Sequence, residues 1–339
     1  MVMVEVKSGY ISVFKSVDMA NRRIPYFCYD SKVAGPTVWV VAAVHGDEVT
    51  GTETVLRMGR YLKRGGLKRG KVFCFPMMNP LAYELITRYE PMESIDLNRC
   101  FPGHPKGSIA ERIAHKIFAK IVETKPIVVI DLHTDTMESI PYIYLDQVVD
   151  QNDSWLVKEI IRYSDLSGIN YFVENSATSN ELRHSITAAL INDAKIPALT
   201  VELGGPMLVK ERFVEIGLNM IKNSLNSLGM IEGWSPWIYE RRIKLDGFYE
   251  TVWNKYSADY SGIVEYKVRP GDSVRKDEVL ARIKNVFDKT VQIIKAQADC
   301  VAISCADQSV CFPGTELLMI AERNDNAFKF ERRRPEDSS

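Results

Sequence analysis

No stretch of this chain approaches the about 18 consecutive apolar residues that a membrane-crossing helix needs, so no membrane segment or membrane partner is expected. The first residues, Met1-Val2-Met3-Val4-Glu5-Val6-Lys7, lack a basic region followed by a long apolar run. A secretory signal is therefore not expected. Cysteine is sparse. Cys28, Cys74, Cys100, Cys300, Cys305 and Cys311 are scattered and form no Cys-x-x-Cys pair. That indicates neither a thiolate zinc site nor a disulfide framework. Reduced thiols in a cytoplasmic protein are the expectation. An excess of one charge is also missing: the net charge is -1 and the pI near 6.6. A nucleic-acid partner would call for a basic stripe. The basic residues between Lys63 and Lys71 are broken by glycines and read as a solvated helix end.

What is present is enough chain for two domains, 339 residues with 46% apolar, and hence a sizeable core. Residues 37–44 (TVWVVAAV), 71–75 (KVFCF), 126–132 (PIVVIDL) and 197–203 (PALTVEL) are continuous apolar runs of the kind found in strands covered on both faces. Helices are expected between them. One runs from about Thr50 to Gly65-Gly66, and one starts at the capping box Ser108-Ile109-Ala110-Glu111. Another is capped by Asn180 and runs through Asp193, and a long one opens at Pro206 and ends at Gly229. The fold class is α/β: a mixed, mostly parallel sheet with helices on both faces. After Gly233 the pattern changes. Short strand-like runs at 262–268, 279–283, 291–295 and 317–321, separated by turns, indicate a small all-β module. The expected division is 1–240, 241–325 and a charged, disordered tail over 326–339.

Three strings carry chemistry: His45-Gly46-Asp47-Glu48, Asp131-Leu132-His133 and Thr200-Val201-Glu202-Leu203-Gly204-Gly205. Each follows an apolar strand, so all should meet on one edge of one sheet, where open α/β folds hold their ligands. His45, Glu48 and His133 are a complete three-residue ligand set for one catalytic Zn2+ per chain, with a fourth position for water. His45 and Glu48, at i,i+3 on a helix entry, would share one face. Glu202 is a carboxylate able to serve as general base. His104, His115 and His184, in a loop and two helices, read as surface or structural residues.

These strings, with Asp96-Leu97-Asn98-Arg99-Cys100-Phe101-Pro102-Gly103, resemble the succinylglutamate desuccinylase/aspartoacylase family, relatives of the zinc carboxypeptidases, and in particular its bacterial and archaeal branch. The resemblance spans about residues 35–325 in order. It implies a zinc carboxypeptidase-like sheet. It further implies His45, Glu48 and His133 as zinc ligands, Glu202 as general base and Arg88 as the cation for the tetrahedral oxyanion. Asn98 and Arg99 would bind the substrate carboxylate, and Asp96 would orient a zinc histidine. The upstream arginine of such enzymes is replaced by Asn192, with Arg183 as a substitute for substrate binding. A tyrosine expected from the β module has three candidates, Tyr249, Tyr256 and Tyr260. Val268-Arg269-Pro270-Gly271-Asp272-Ser273-Val274 and Asp288-Lys289 give that module a likeness to biotinyl/lipoyl barrels, though Lys289 sits in too long a connection for a carrier lysine.

The expectation is a zinc-dependent amidohydrolase that releases the acyl group of a small N-acyl amino acid. A metallocarboxypeptidase for short peptides is the alternative, because it would use the same residues. A non-catalytic carrier built on the β module would leave the His/Glu/His/Glu set without a purpose.

Overall fold

The computed structural model describes residues 4–150, 153–175, 182–252 and 255–324. Asn180 and the 326–339 tail lie outside the described residues. The centre of the molecule is the set of apolar runs seen in the sequence. Strands β3 (Thr37–Ala42), β4 (Lys71–Phe75), β5 (Val128–His133) and β9 (Ala198–Glu202) lie side by side in the order β4-β3-β5-β9, all parallel. Val38 to Ala42 and Val128 to Ile130 are fully buried, as strands covered on both faces must be.

Outside this centre the sheet is antiparallel or mixed, which corrects the expectation of a mostly parallel arrangement. On one side β4 meets the hairpin of β1 (Glu5–Lys15) and β2 (Asn21–Asp30). On the other, β9 meets β7 (Tyr142–Leu145) antiparallel, and β7 meets β8 (Asn170–Val173) parallel. The physical reason lies in the connections. Parallel neighbours need a long crossover, whereas the β1–β2 hairpin joins with a short turn.

The helices cover both faces. Gly51, in the helix Val49–Tyr61, sits where an added Cβ would come within 3.0 Å of the Ala42 and Leu132 side chains. Thr187, in the helix Ile186–Asn192, instead bonds Thr200, whose register partner is Asp131. Asp131 and Leu132 are successive strand residues and point to opposite sides. Helix Ile109–Glu123 begins with the expected capping box, Ser108 with Glu111. The last long helix, Glu211–Ser227, starts later than Pro206. Residues before it are held elsewhere: the Met207 amide donates to the Asp47 carbonyl at 2.7 Å, tying that segment to the His45–Glu48 turn. His184 is not helical either. Ser185 caps the helix Ile186–Asn192, and His184 Nδ1 donates to the Phe101 carbonyl at 3.0 Å.

The C-terminal strands join the large sheet instead of standing apart. β10 (Tyr249–Val252) bridges β8 at Glu250 and Val173. β17 (Leu318–Arg323), β15 (Cys300–Cys305) and β12 (Ser273–Val274) follow in antiparallel order, and β6 (Glu138–Ser139) adds to β15. A second sheet, β14 (Thr290–Lys295), β13 (Val279–Lys284), β11 (Gly262–Tyr266) and β16 (Val310–Cys311), encloses a separate all-β core of Val264, Leu280, Ile283, Leu318 and Ile320.

Candidate active site and metal centre

The C-terminal ends of β3, β5 and β9 bring the predicted residues to one cavity of about 190 Å³. Its lining includes His45, Glu48, Arg88, Asn98, Arg99, His133 and Glu202. His133 and Glu202 are register partners on adjacent strands, and Glu202 faces Tyr142 across the other neighbour. These three side chains share one level and one face of the sheet.

His45 and Glu48 converge by a different route from the one expected. They lie in a turn between β3 and the helix, and Glu48 is the residue preceding its first turn. The turn packs closely. A Cβ on Gly46 would fall 2.0 Å from the Ala82 backbone, and the Gly46 amide donates to the Thr87 carbonyl at 2.9 Å. Only glycine permits that approach, which fixes where His45 points.

The donor geometry passes a direct test for a cation. One atom from each of His45, Glu48 and His133 lies within 4.8 Å of the others. The two imidazoles present their Nδ1 atoms to Glu48, at 2.6 Å for His45 and 2.9 Å for His133. Their Nε2 atoms are each backed by a carboxylate: Asp96 at 3.1 Å for His45 and Asp131 at 2.7 Å for His133. A carboxylate behind Nε2 holds the proton there and leaves the Nδ1 lone pair for a metal. Two nitrogens and a carboxylate oxygen suit zinc among common ions. Burial opposes ionisation of Glu48, but the His45 and His133 rings outweigh it and hold the carboxyl far below its usual range. Asp96 is lowered in the same way, against burial, by His45, Arg88 and Arg99.

The cations lie on one side. Arg88 donates Nη2 to Asp96 Oδ2 at 3.1 Å and brings Nη1 within 3.3 Å of His45 Nδ1. Arg99 donates to the Asn98 carbonyl at 2.9 Å. Asn98 Oδ1 accepts from the Ile186 amide at 2.9 Å, so its amide nitrogen is the end left for a ligand. Glu202 stands opposite. Burial is the main cause that pushes its carboxyl well above the ordinary range, with Glu48 and Asp135 adding to it and His133 opposing. Its Oε2 is buried and has no hydrogen-bond partner among the described residues.

Arg183 is exposed and does not line the cavity; Leu182 does. Asn192 is structural, accepting from the Val149 amide at 2.9 Å and donating to the Gln147 carbonyl at 3.1 Å. None of Tyr249, Tyr256 and Tyr260 reaches the cavity; the C-terminal strands contribute Met319. The tyrosines that do reach it, Tyr142 and Tyr144, were not singled out in the sequence. Neither were Asp135, Asp146 and Ser185, and Thr200 entered only as part of the string that holds Glu202. The available signal was the alternation Tyr142-Ile143-Tyr144-Leu145, which places both phenols on one face of a strand.

No helix among the described residues is long and apolar enough to cross a membrane. Comparison with known proteins agrees with the geometry. Residues 34–228 match the succinylglutamate desuccinylase/aspartoacylase catalytic domain. The chain is 28% identical over 295 residues to the N-alpha-acetyl-L-2,4-diaminobutyric acid deacetylase of Halomonas elongata, covering 85% of this chain and 82% of that one. A crystal structure of a succinylglutamate desuccinylase/aspartoacylase from Rhodobacter sphaeroides superposes with a TM-score of 0.78 at 24% identity, over 94% of this chain and 96% of that one. A metallo-carboxypeptidase from Burkholderia cenocepacia shares the fold more distantly, with a TM-score of 0.54 at 13% identity over 68% of this chain and 66% of that one. With more than half of its length matched, the chain belongs to the succinylglutamate desuccinylase/aspartoacylase family of amide-hydrolysing enzymes.

Proposed function

We propose that this protein is a zinc-dependent deacylase of a small N-acyl amino acid. The observation that carries the reading is the meeting of His45, Glu48 and His133 in one cavity with an unpartnered carboxylate, Glu202. His45 Nδ1, Glu48 and His133 Nδ1 would hold the ion, with Asp96 and Asp131 fixing the ring orientations. A bound zinc ion supplies an acidified water and a Lewis acid for the substrate carbonyl. Glu202 takes the proton from the attacking water and passes it to the departing amine. Its raised affinity for protons suits that exchange. Arg88, beside the metal turn, faces the charge that develops on the carbonyl oxygen. Arg99 and the Asn98 amide grip the carboxylate of the amino acid, for which a planar guanidinium is well shaped.

A metallocarboxypeptidase acting on short peptides would need the same residues. The small cavity, lined in part by Met319 of the C-terminal strands, favours a compact substrate. We read those strands, residues 241–325, as a lipoyl-like module that covers the site and carries no prosthetic group.

The test is release of free amine from N-acetyl, N-succinyl and N-formyl amino acids and from di- and tripeptides, with zinc and with a chelator. Chelator-sensitive release from an acyl amino acid is the expected result. Release from peptides alone would move the protein to the carboxypeptidases, and silence across the panel with zinc bound would overturn the reading.

A further inference from the structure

The wall beside Glu202 is a tyrosine. Tyr142 lines the cavity from β7 and is 2% exposed. It is the register partner of Glu202 on the adjacent antiparallel strand. Directly opposed residues on such strands carry their Cβ atoms about 5 Å apart on one face. The phenol and the Glu202 carboxylate therefore border the same part of the cavity.

The phenol is held from behind. Its Oη donates to Asp135 Oδ2 at 3.2 Å and lies 3.8 Å from Met319 Sδ. Asp135 is itself tied on two sides. Its amide donates to the Gly204 carbonyl at 2.8 Å, and the Ser304 hydroxyl bonds its carboxylate. Ser304 is buried on β15, where it pairs with Ser139. Two residues beyond Asp135, the Met137 amide donates to Asp307 Oδ1 at 2.6 Å. The C-terminal strands thus clamp the 135–139 segment, and through Asp135 they fix the direction of the phenolic O–H.

That direction has a chemical consequence. A phenol has one proton to give, and Asp135 takes it. No group among the described residues donates to the Tyr142 oxygen, so its lone pairs are left for the cavity. Burial holds the hydroxyl well above its ordinary range and keeps it neutral. Arg88, Arg99 and the Asn98 amide are donors. A neutral acceptor beside Glu202 calls instead for a donor on the ligand, and the donor next to a scissile carbonyl is the amide N–H.

We propose that Tyr142 is a catalytic residue whose phenolic oxygen accepts the N–H of the scissile amide. The inference rests on the deacylase reading above and deepens it. In the intact amide this bond joins neutral groups. Water then adds to the carbonyl carbon, a proton passes by way of Glu202 to the nitrogen, and the C–N bond breaks to give a carboxylic acid and an amine. Tyr142 neither gains nor loses a proton. As the nitrogen takes up its proton, its N–H becomes a charged donor, and bonds of that kind are about twice as strong. The contact therefore tightens toward the transition state and acts on kcat.

The experiment compares two substrates that differ at one position: the best N-acyl amino acid of the panel above and its ester analogue, with –O– in place of –NH–. Zinc content, kcat and KM are measured for the zinc-loaded wild type and Tyr142→Phe. On the amide the variant should lose about 10- to 100-fold in kcat, the effect of one hydrogen bond to a charged group. On the ester, which has no N–H to give, it should stay within about threefold of the wild type, with zinc content unchanged. Equal losses on both substrates would make Tyr142 a structural support and overturn the proposal, and so would an undiminished amide rate. In either case the deacylase reading stands. A panel with no cleaved member overturns both. Should Tyr142→Phe fail to fold, Ser304→Ala carries the same test, because it loosens Asp135 behind the phenol. A smaller loss on the amide with none on the ester supports the proposal, and equal losses or none overturn it.

Discussion

The two ends of the cavity bury carboxylates in opposite ways. At the metal end three acids have basic neighbours: Glu48 lies between His45 and His133, Asp96 between His45 and Arg88, and Asp131 behind His133. At the far end Asp146 and Glu174 are satisfied only by hydroxyl and amide donors. Glu48 and Asp96 are driven toward ionisation by their basic neighbours, and Asp146 and Glu174 away from it by burial. The first end gathers a donor set that could hold a metal ion, His45, Glu48 and His133. The second is organised by neutral donors around carboxyls that burial keeps from ionising.

Glu202 sits between the two ends, and its loss should have the largest effect. Glu202→Ala is expected to lower kcat by about 10²- to 10⁴-fold, the usual share of a general acid–base group. Zinc content should stay at the wild-type level. Kinetics combined with metal analysis of the same preparation decide the matter. Loss of the ion together with activity would make Glu202 part of the metal end, and the division into two ends would be wrong.

The paired end is tested next through Asp96. Asp96→Asn keeps the shape but weakens the hold on His45 Nε2 and on Arg88. Metal affinity should drop by about 10- to 100-fold, the common cost of removing a carboxylate behind a ligating histidine. Competition with a chromophoric chelator measures it. Unchanged affinity would mean that His45 is positioned by its turn alone.

The unequal legibility of the two ends has a structural cause. His45, Glu48, His133 and Glu202 each follow a continuous apolar strand, so a linear reading puts them at one sheet edge. The i,i+3 spacing predicts His45 and Glu48 on one helical face, whereas in the structure a turn braced by Gly46 brings them together. Asp146 could not be placed in this way. Its position depends on β7, a four-residue strand that enters antiparallel beside β9, so Tyr142 faces Glu202 and Tyr144 faces Thr200. That register is a long-range fact with no local signature. The same holds for the C-terminal strands. Their short, turn-separated pattern was readable, but their attachment to the rest of the fold runs through the pairings of Glu250 with Val173 and of Glu138 and Ser139 with Cys305 and Ser304, all long-range. Arg183 was put forward to replace an arginine absent at Asn192, and nothing in the sequence showed that its side chain faces solvent.

The smallest expected effect concerns stability, and its sign separates the two ends. Glu174 has a folded-state value of about 8 against an ordinary 4.5, so between those values the native protein holds a proton that the unfolded chain has released. The native state then binds more protons, and its stability declines as pH rises from about 4.5 to about 8. Asp146 acts in the same direction between 3.8 and about 6. Glu48 and Asp96, which are lowered, act oppositely: their contribution is present at neutral pH and is lost on acidification. Glu174→Gln should therefore stabilise the ligand-free protein at pH 8 by on the order of 1–3 kcal/mol, since each tenfold change in proton affinity is worth about 1.4 kcal/mol and water reaching a charged Glu174 reduces the full figure. It should also flatten the decline between pH 6 and 8 while leaving the acid limb unchanged. Denaturant midpoints for both proteins at pH 5, 6, 7 and 8 give the comparison. A variant whose midpoints run parallel to the wild type at every pH would show that Glu174 is no more strained than Glu48, and the contrast between the two ends would fall.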